Sequence, residues 1–370
     1  MRAALLAIAL TGLTGLTVVG CDADDPRESA WIEVAAASFV DGEESEIVTI
    51  PAQGDAAALA LRVTTSPGVC FQLSALVDAG GNALIEGRSP GTFCRDCSLR
   101  SSVALEAGVF VLPAERVALD GELALRFGRV DCETLTPLHV SAGEDRPPLV
   151  IDAQPILAEP EHAIVDLRFL VAADSILADD PARQQELLAA LGEELGPAGL
   201  EPRLVAVVDL DAPDTPDHAL RFHAGDHGDL AAQLQGLPPR AESTIDVVFA
   251  GCLLYDDPIF GPPRALEGYT PRIPGGAGPA DAVFIPGVDC LAPDTGPLDI
   301  PVRTQAHLLA HELGHYLGLY HAVEADGLED MLDDTDADNL MHFRPGLASS
   351  VGLSPAQGRV MRTHPAARTD

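Results

Sequence analysis

The sequence contains no lysine. All 22 of its basic residues are arginine, against 57 acidic residues, for a formal net charge of −35 over 370 residues. So acidic a surface repels nucleic-acid phosphates and anionic headgroups, which argues against a nucleic-acid-binding role. Aromatic residues are scarce, at 4%. No internal repeat is visible. Between about Trp31 and Val140 no helix of convincing length and no titratable cluster stands out, so the chemistry is not expected there.

What is present is material for real cores: 47% of the chain is hydrophobic, and its length suits two domains of ordinary size. Residues 1–20 have the layout of an export signal, with one positive charge at Arg2 followed by an apolar stretch. "VVGC" closes that stretch and resembles a bacterial lipobox. Cys21 would then carry the lipid, and "DADDPRES" after it reads as a tether over 21–30. The chain is therefore expected to be exported and held at the cell envelope by an amino-terminal lipid. An ordinary signal peptide that ends near a chance cysteine is the alternative.

Six further cysteines, Cys70, Cys94, Cys97, Cys132, Cys252 and Cys290, make an even count in an exported chain and point to disulfides. Cys252–Cys290 is expected as one bridge, with two more among the other four. "CRDC" at 94–97 also fits a redox or metal motif, but two more cysteines in the same half favour structural bridges.

Residues 31–143 alternate in short strand-like runs such as "AALALRV", "CFQLSALV" and "GELALRFGRV", separated by turns. They predict a β-sandwich or jelly-roll-like module. The charged, Pro-rich stretch over 144–160 predicts a linker. From 161 to 370 the pattern changes. "HAIVDLRFLVA", "PRLVAVVDL", "TIDVVFA" and "DAVFIPG" read as buried strands, and "DPARQQELLAALGEELG" as a helix with Asp180 and Pro181 at its start. Alternating strands and helices predict an α/β layer with parallel pairs. "VRTQAHLLAHELGHYLG" is a second long helix.

That helix carries "HELGHYLGLYH". His311 and His315 stand one turn apart on one face and can each give a nitrogen to one zinc ion. Glu312 lies beside them, where a carboxylate touches a metal-bound water without ligating the metal. Gly318 can adopt positive φ and end the helix, so that His321 returns as a third ligand. Three protein ligands leave a position open, the arrangement of a catalytic site. Downstream, "DNLMHF" supplies Met341.

The segment resembles the metzincin zinc-peptidase signature, with "NLM" at 339–341 similar to the Met-turn of that clan. Within the clan it most resembles the pappalysin-like group, which has an acidic segment matched here by Asp330, Leu332, Asp334 and Thr335. "LSPAQGRVMRTHP" is similar to that group's last helix. The likeness spans about Val165–Pro365 as architecture and is specific from about Ala310 to Met361. It implies a sheet-and-helix subdomain, a smaller subdomain after Gly318 and a cleft between them. Met341 would be a structural floor beneath the ligands, with Met331 a poorer match. Two positions depart from the pattern. Phe343 stands where relatives often have a tyrosine hydroxyl, leaving that role to His342 or to nothing, and Asp336 replaces a proline. No cysteine-switch propeptide is visible.

These features predict a secreted, membrane-anchored zinc endopeptidase. It would hydrolyse peptide bonds through a zinc-bound water, with Glu312 as general base and a protein or peptide as substrate. Two other readings stay open: a surface binding lipoprotein with a weakened peptidase fold, and a zinc amidase acting on cell-wall material. The acidic run over 324–339 has the oxygen ligands to hold Ca²⁺. It does not match an EF-hand, and a solvated acidic loop is the alternative.

Overall fold

The computed structural model describes residues 31–40, 44–85, 99, 101–139, 146–210, 219–222, 234, 236–256, 262–289, 298–325, 327–330, 332–336, 338–344 and 352–369. Cys21, the "CRDC" cysteines Cys94 and Cys97, Cys290 and Met331 lie outside the described residues.

In the amino-terminal half, apolar residues at alternate positions build two antiparallel sheets. One joins β1 (Ile32–Ser38), β9 (Pro148–Ile156), β3 (Ala58–Thr64) and β7 (Ala107–Pro113), in that order. The other joins β2 (Val48–Ile50), β8 (Leu123–Val130), β4 (Cys70–Val77) and β5 (Ala83–Ile85), with β6 (Ala104–Leu105) pairing with β4. Both sheets feed one core. Phe110 of β7 meets Phe71 of β4 and Phe127 of β8 with ring centroids 6.4 and 5.9 Å apart. Cys70 and Cys132 form a disulfide, and Cys252 is also disulfide-bonded.

The expected linker over 144–160 needs correction. Within it, Pro148–Ile156 is β9, central in the first sheet and hydrogen-bonded to both β1 and β3. The prolines and charges around it masked an alternation in which Leu149, Ile151 and Ala153 point into the core while Val150 and Asp152 stand half-buried between them.

The second half is a mixed α/β layer. β11 (Leu200–Leu210), β10 (Ala163–Ala172), β13 (Ile245–Ala250) and β16 (Val283–Pro286) run parallel in that order. β19 (Ala367–Arg368) pairs antiparallel with the start of β10. Smaller pairings join β12 (Ala219–Phe222), β14 (Cys252–Tyr255) and β15 (Arg264–Ala265), and also β17 (Val288–Asp289) and β18 (Leu298–Asp299). Side chains of β10 alternate between the two faces of the sheet. Val165, Leu167, Phe169 and Val171 enter the core shared with the helices, while Leu170 enters a second core on the other face. Arg168 also points to that other face and is buried, so it needs a partner. It forks onto Asp246 at 2.7 and 2.9 Å.

Three helices matter for the site. α1 (Pro181–Leu195) is capped by Asp180, whose carboxylate accepts from the Arg183 amide. α2 (Val302–Tyr316) packs against α1 and against β16 of the sheet, while α1 packs on β11, and α2 is buried along most of its length. α3 (Pro355–Arg362) opens with a reciprocal cap between Ser354 and Gln357. Among the described residues no helix is long and apolar enough to cross a membrane.

Candidate metal centre

α2 places His311 and His315 on one face, and both are buried. The helix stops at Tyr316. Leu317 caps it, and Gly318, with φ at 106°, takes a backbone conformation that side chains rarely tolerate. The chain then turns back, and the Leu319 amide donates to the Gly314 carbonyl. The result brings His321 to the first two histidines: the ligand atoms of all three lie within 4.8 Å of one another. Among the described residues no other group of metal-ligating side chains converges in this way.

What each imidazole does with its other nitrogen decides the chemistry. His311 Nδ1 lies 2.8 Å from the Leu340 carbonyl oxygen, and His315 Nδ1 lies 2.8 Å from that of Leu319. A carbonyl only accepts, so both Nδ1 atoms carry the proton. His321 Nδ1 lies 2.9 Å from a Glu324 carboxylate oxygen and donates in the same way. With Nδ1 occupied in this way, the Nε2 atom of each ring is the one left to face the others. His315 Nε2 and His321 Nε2 stand 3.2 Å apart. A tetrahedral ion with Zn–N bonds of about 2.0–2.1 Å separates its nitrogens by about 3.3 Å. Two lone pairs held face to face at that distance repel unless a cation or a proton lies between them, so the donor set can hold a metal ion. Burial also keeps extra protons off. It lowers His311 to about 3 and holds His315 well below its ordinary value.

Glu312 is buried at the edge of the same face. Burial pushes its carboxyl up to about 8, the neighbouring charge of Glu267 adds to the rise, and a hydrogen bond from Thr270 opposes it. Thr270 Oγ1 lies 2.7 Å from Glu312 Oε2 and 3.0 Å from its carbonyl oxygen. The hydroxyl thus has an acceptor whether or not the carboxyl holds a proton. Gly268 lies so close that a Cβ there would sit 2.6 Å from Glu312 Cγ.

Met341 is fully buried beneath the helix, in the space left by Gly314, where a Cβ would come within 2.5 Å of its sulfur. The turn that carries it is pinned twice. Asn339 and Gln357 exchange side-chain amide bonds at 2.9 and 2.8 Å, and the Ala322 amide donates to the Met341 carbonyl at 2.8 Å.

The site faces a cleft of about 670 Å³. Its lining includes Ser102, residues 265–271, Ile273, the three histidines, Glu312, Tyr320, Glu324 and Phe343. Phe343 thus reaches the cleft without a hydroxyl, while Tyr269, Thr270, Tyr320 and Ser102 supply hydroxyls elsewhere on its wall. His342 accepts from the Arg344 amide. In the acidic run, several carboxylates already have protein donors: Glu324 accepts from His321 Nδ1 and Asp336 from the Asp338 amide. Asp330 accepts from the Leu332 amide and the Thr335 hydroxyl, and Asp334 from the Ser354 hydroxyl and the Ala356 amide.

The sequence motif therefore located the histidines, Glu312, Gly318 and Met341, and the structure brings them together. Sequence reading missed Glu324, which was absorbed into the acidic loop, and Thr270, Gly268 and Ser102. The Ser354–Gln357 cap was legible as S-x-x-Q ahead of a helical pattern. The other residues carry no local signal.

No family model and no curated protein matches the chain. Solved structures with some likeness include archaemetzincin from Methanopyrus kandleri, at 18% identity over 56% of this chain and 91% of that one, with a TM-score of 0.29. Metalloproteinase-II from Bacteroides fragilis is another, at 13% identity over 58% of this chain and 62% of that one, with a TM-score of 0.34. So distant a likeness carries no functional weight; the geometry of the histidines does.

Proposed function

We propose that this protein is a zinc-dependent endopeptidase of the metzincin type, pappalysin-like in its motif. One observation carries the reading: three imidazoles, each with Nδ1 tied to an acceptor, aim their Nε2 lone pairs at one another. His311, His315 and His321 would hold the ion. When bound, zinc supplies Lewis-acid polarisation of a carbonyl, an acidified water and a positive charge that favours ionised Glu312.

The chain's own residues do the rest. Glu312, as general base, takes a proton from the attacking water at a carboxylate oxygen and returns it to the leaving amine. Its burial weakens its solvation and so raises its basicity. Thr270 holds one of its oxygens in place. The cleft provides room for an extended peptide, and Met341 supports the ring of His311 indirectly, through the turn whose Leu340 carbonyl that ring engages.

The lipobox-like "VVGC" supports an exported protein anchored through Cys21, with residues 21–30 as tether. The metal and its mechanism are tested together. In the full chain loaded with zinc, Glu312→Ala should keep its zinc and lose cleavage of casein or a peptide library. His315→Ala should lose both, and a chelator should silence the wild type. Undiminished cleavage by Glu312→Ala would overturn the mechanism. Zinc binding with no cleavage of any peptide by the wild type would favour the weakened binding protein, for which Phe343 in place of a hydroxyl is the supporting observation.

A further inference from the structure

Residues 267–276, of which 267–271 and Ile273 line the cleft, lie between α2 and the amino-terminal sheets. On the helix side, Thr270 reaches Glu312, and the Gly275 amide donates to the Tyr316 carbonyl oxygen at 2.9 Å. On the other side, Ser102, just ahead of β6, makes two bonds to a single residue. Its hydroxyl donates to the Ile273 carbonyl oxygen at 2.8 Å and accepts from the Ile273 amide at 2.9 Å. Between them sits Arg272, 1% exposed. Its guanidinium donates to the carbonyl oxygens of Pro274 and of Val109 on β7, the latter at 2.6 Å. It stands 4.9 Å from the Phe110 ring centroid and 3.8 Å from Asp281. A buried guanidinium has no water to turn to, so these bonds fix where the stretch lies.

We propose that the amino-terminal sheets are part of the active site: Ser102, Val109 and Phe110 latch residues 267–276, and Thr270 on that stretch positions Glu312. The proposal rests on the reading of Glu312 as general base. Ser102, Arg272 and Thr270 are positioning residues, since they act through Glu312. The metal ligands are held by Leu340, Leu319 and Glu324, none of which belongs to the amino-terminal half. The latch should therefore govern turnover and leave metal binding alone.

The test uses the full chain loaded with zinc, as Thr270→Val, Thr270→Ser and Ser102→Ala. It reads zinc content, kcat and KM on a peptide, and hydrogen–deuterium exchange across residues 267–276. Thr270→Val should lower kcat about 10–100-fold while KM and zinc content hold. Thr270→Ser keeps the hydroxyl and should restore kcat to near the wild-type value. Ser102→Ala should speed exchange across 267–276 about tenfold and lower kcat in the same direction. Wild-type kcat in Thr270→Val, or unchanged exchange in Ser102→Ala, overturns the proposal. Should the wild type bind zinc but cleave no peptide, the peptidase reading falls by itself. The exchange response of Ser102→Ala then decides for or against the latch.

Discussion

A glycine inside a buried helix is a local cost, since alanine is the better helix former there by about 1 kcal/mol. Gly314 sits in such a place, between the two helical histidines, and the reason is Met341, whose sulfur fills the space a Cβ would take. The expected outcome of Gly314→Ala is a net loss of about 1–2 kcal/mol, because overpacking of a filled core outweighs the gain in propensity. Chemical denaturation would measure it. A double-mutant cycle sharpens the test: in a Met341→Ala background the same substitution should cost nothing or stabilise. An equal loss in both backgrounds would mean that the sulfur is not the obstacle. The sequence shows that Gly314 breaks the helical preference. It does not show what fills the gap, because Met341 is distant in the chain and only the fold brings it under the helix.

At the scale of elements, much of the second half was legible. β10, β11, β13 and β16 and helices α1 and α2 lie where apolar runs, caps and breaks predict them. Short pieces were not: β12, β14 and β19 have two to four residues each, too few for any periodicity to register. β9 reads as linker from the sequence for a different reason: the prolines and charges around the strand outweigh the alternation within it. The link between α3 and the Met341 turn also escapes a local reading. Asn339 and Gln357 satisfy each other's amides across that junction, and the turn presents the Leu340 carbonyl that orients His311. Gln357→Ala should therefore weaken two properties together. It should cost about 1–3 kcal/mol of stability, because the buried Asn339 amide loses partners. It should also lower zinc affinity about tenfold, because an outer partner of a ligand is loosened. Competition with a chromophoric chelator would read the second effect. A stability loss with unchanged affinity would show that the turn holds its shape without α3. Glu324→Ala acts on the same principle at His321 and should lower zinc affinity about 10–100-fold.

For the whole molecule, the acidic composition and the two kinds of strand pattern were readable, whereas the meeting of the two halves at residues 267–276 was not, since its partners lie more than 150 positions apart. The same junction holds a buried titratable group, His364. Its Nε2 faces the Gly275 carbonyl oxygen at 3.2 Å, its Nδ1 accepts from the Ala366 amide at 3.1 Å, and the Tyr316 ring centroid lies 5.9 Å away. Burial lowers its pKa to about 4; the bond to Gly275 opposes the fall, and the charge of Arg272 adds to it. In the unfolded chain the ring titrates near 6.5. Above that pH it is neutral in both states and has no effect on folding. As pH falls from 6.5 toward 4, the unfolded chain takes up a proton that the folded protein refuses, and stability drops, by about 3 kcal/mol in all. Acidification also brings the net charge of −35 toward zero and relieves self-repulsion, which works in the opposite direction. The two are separable by substitution, because His364→Gln removes the titration and leaves the overall charge above pH 6.5 as it was. Urea denaturation of both proteins from pH 7.5 to 4.5 should show the wild type losing stability more steeply than the variant, with the two curves diverging only below about 6.5. Parallel curves would place His364 in contact with water in the folded state and would break the link drawn here between α3, α2 and the Gly275 stretch.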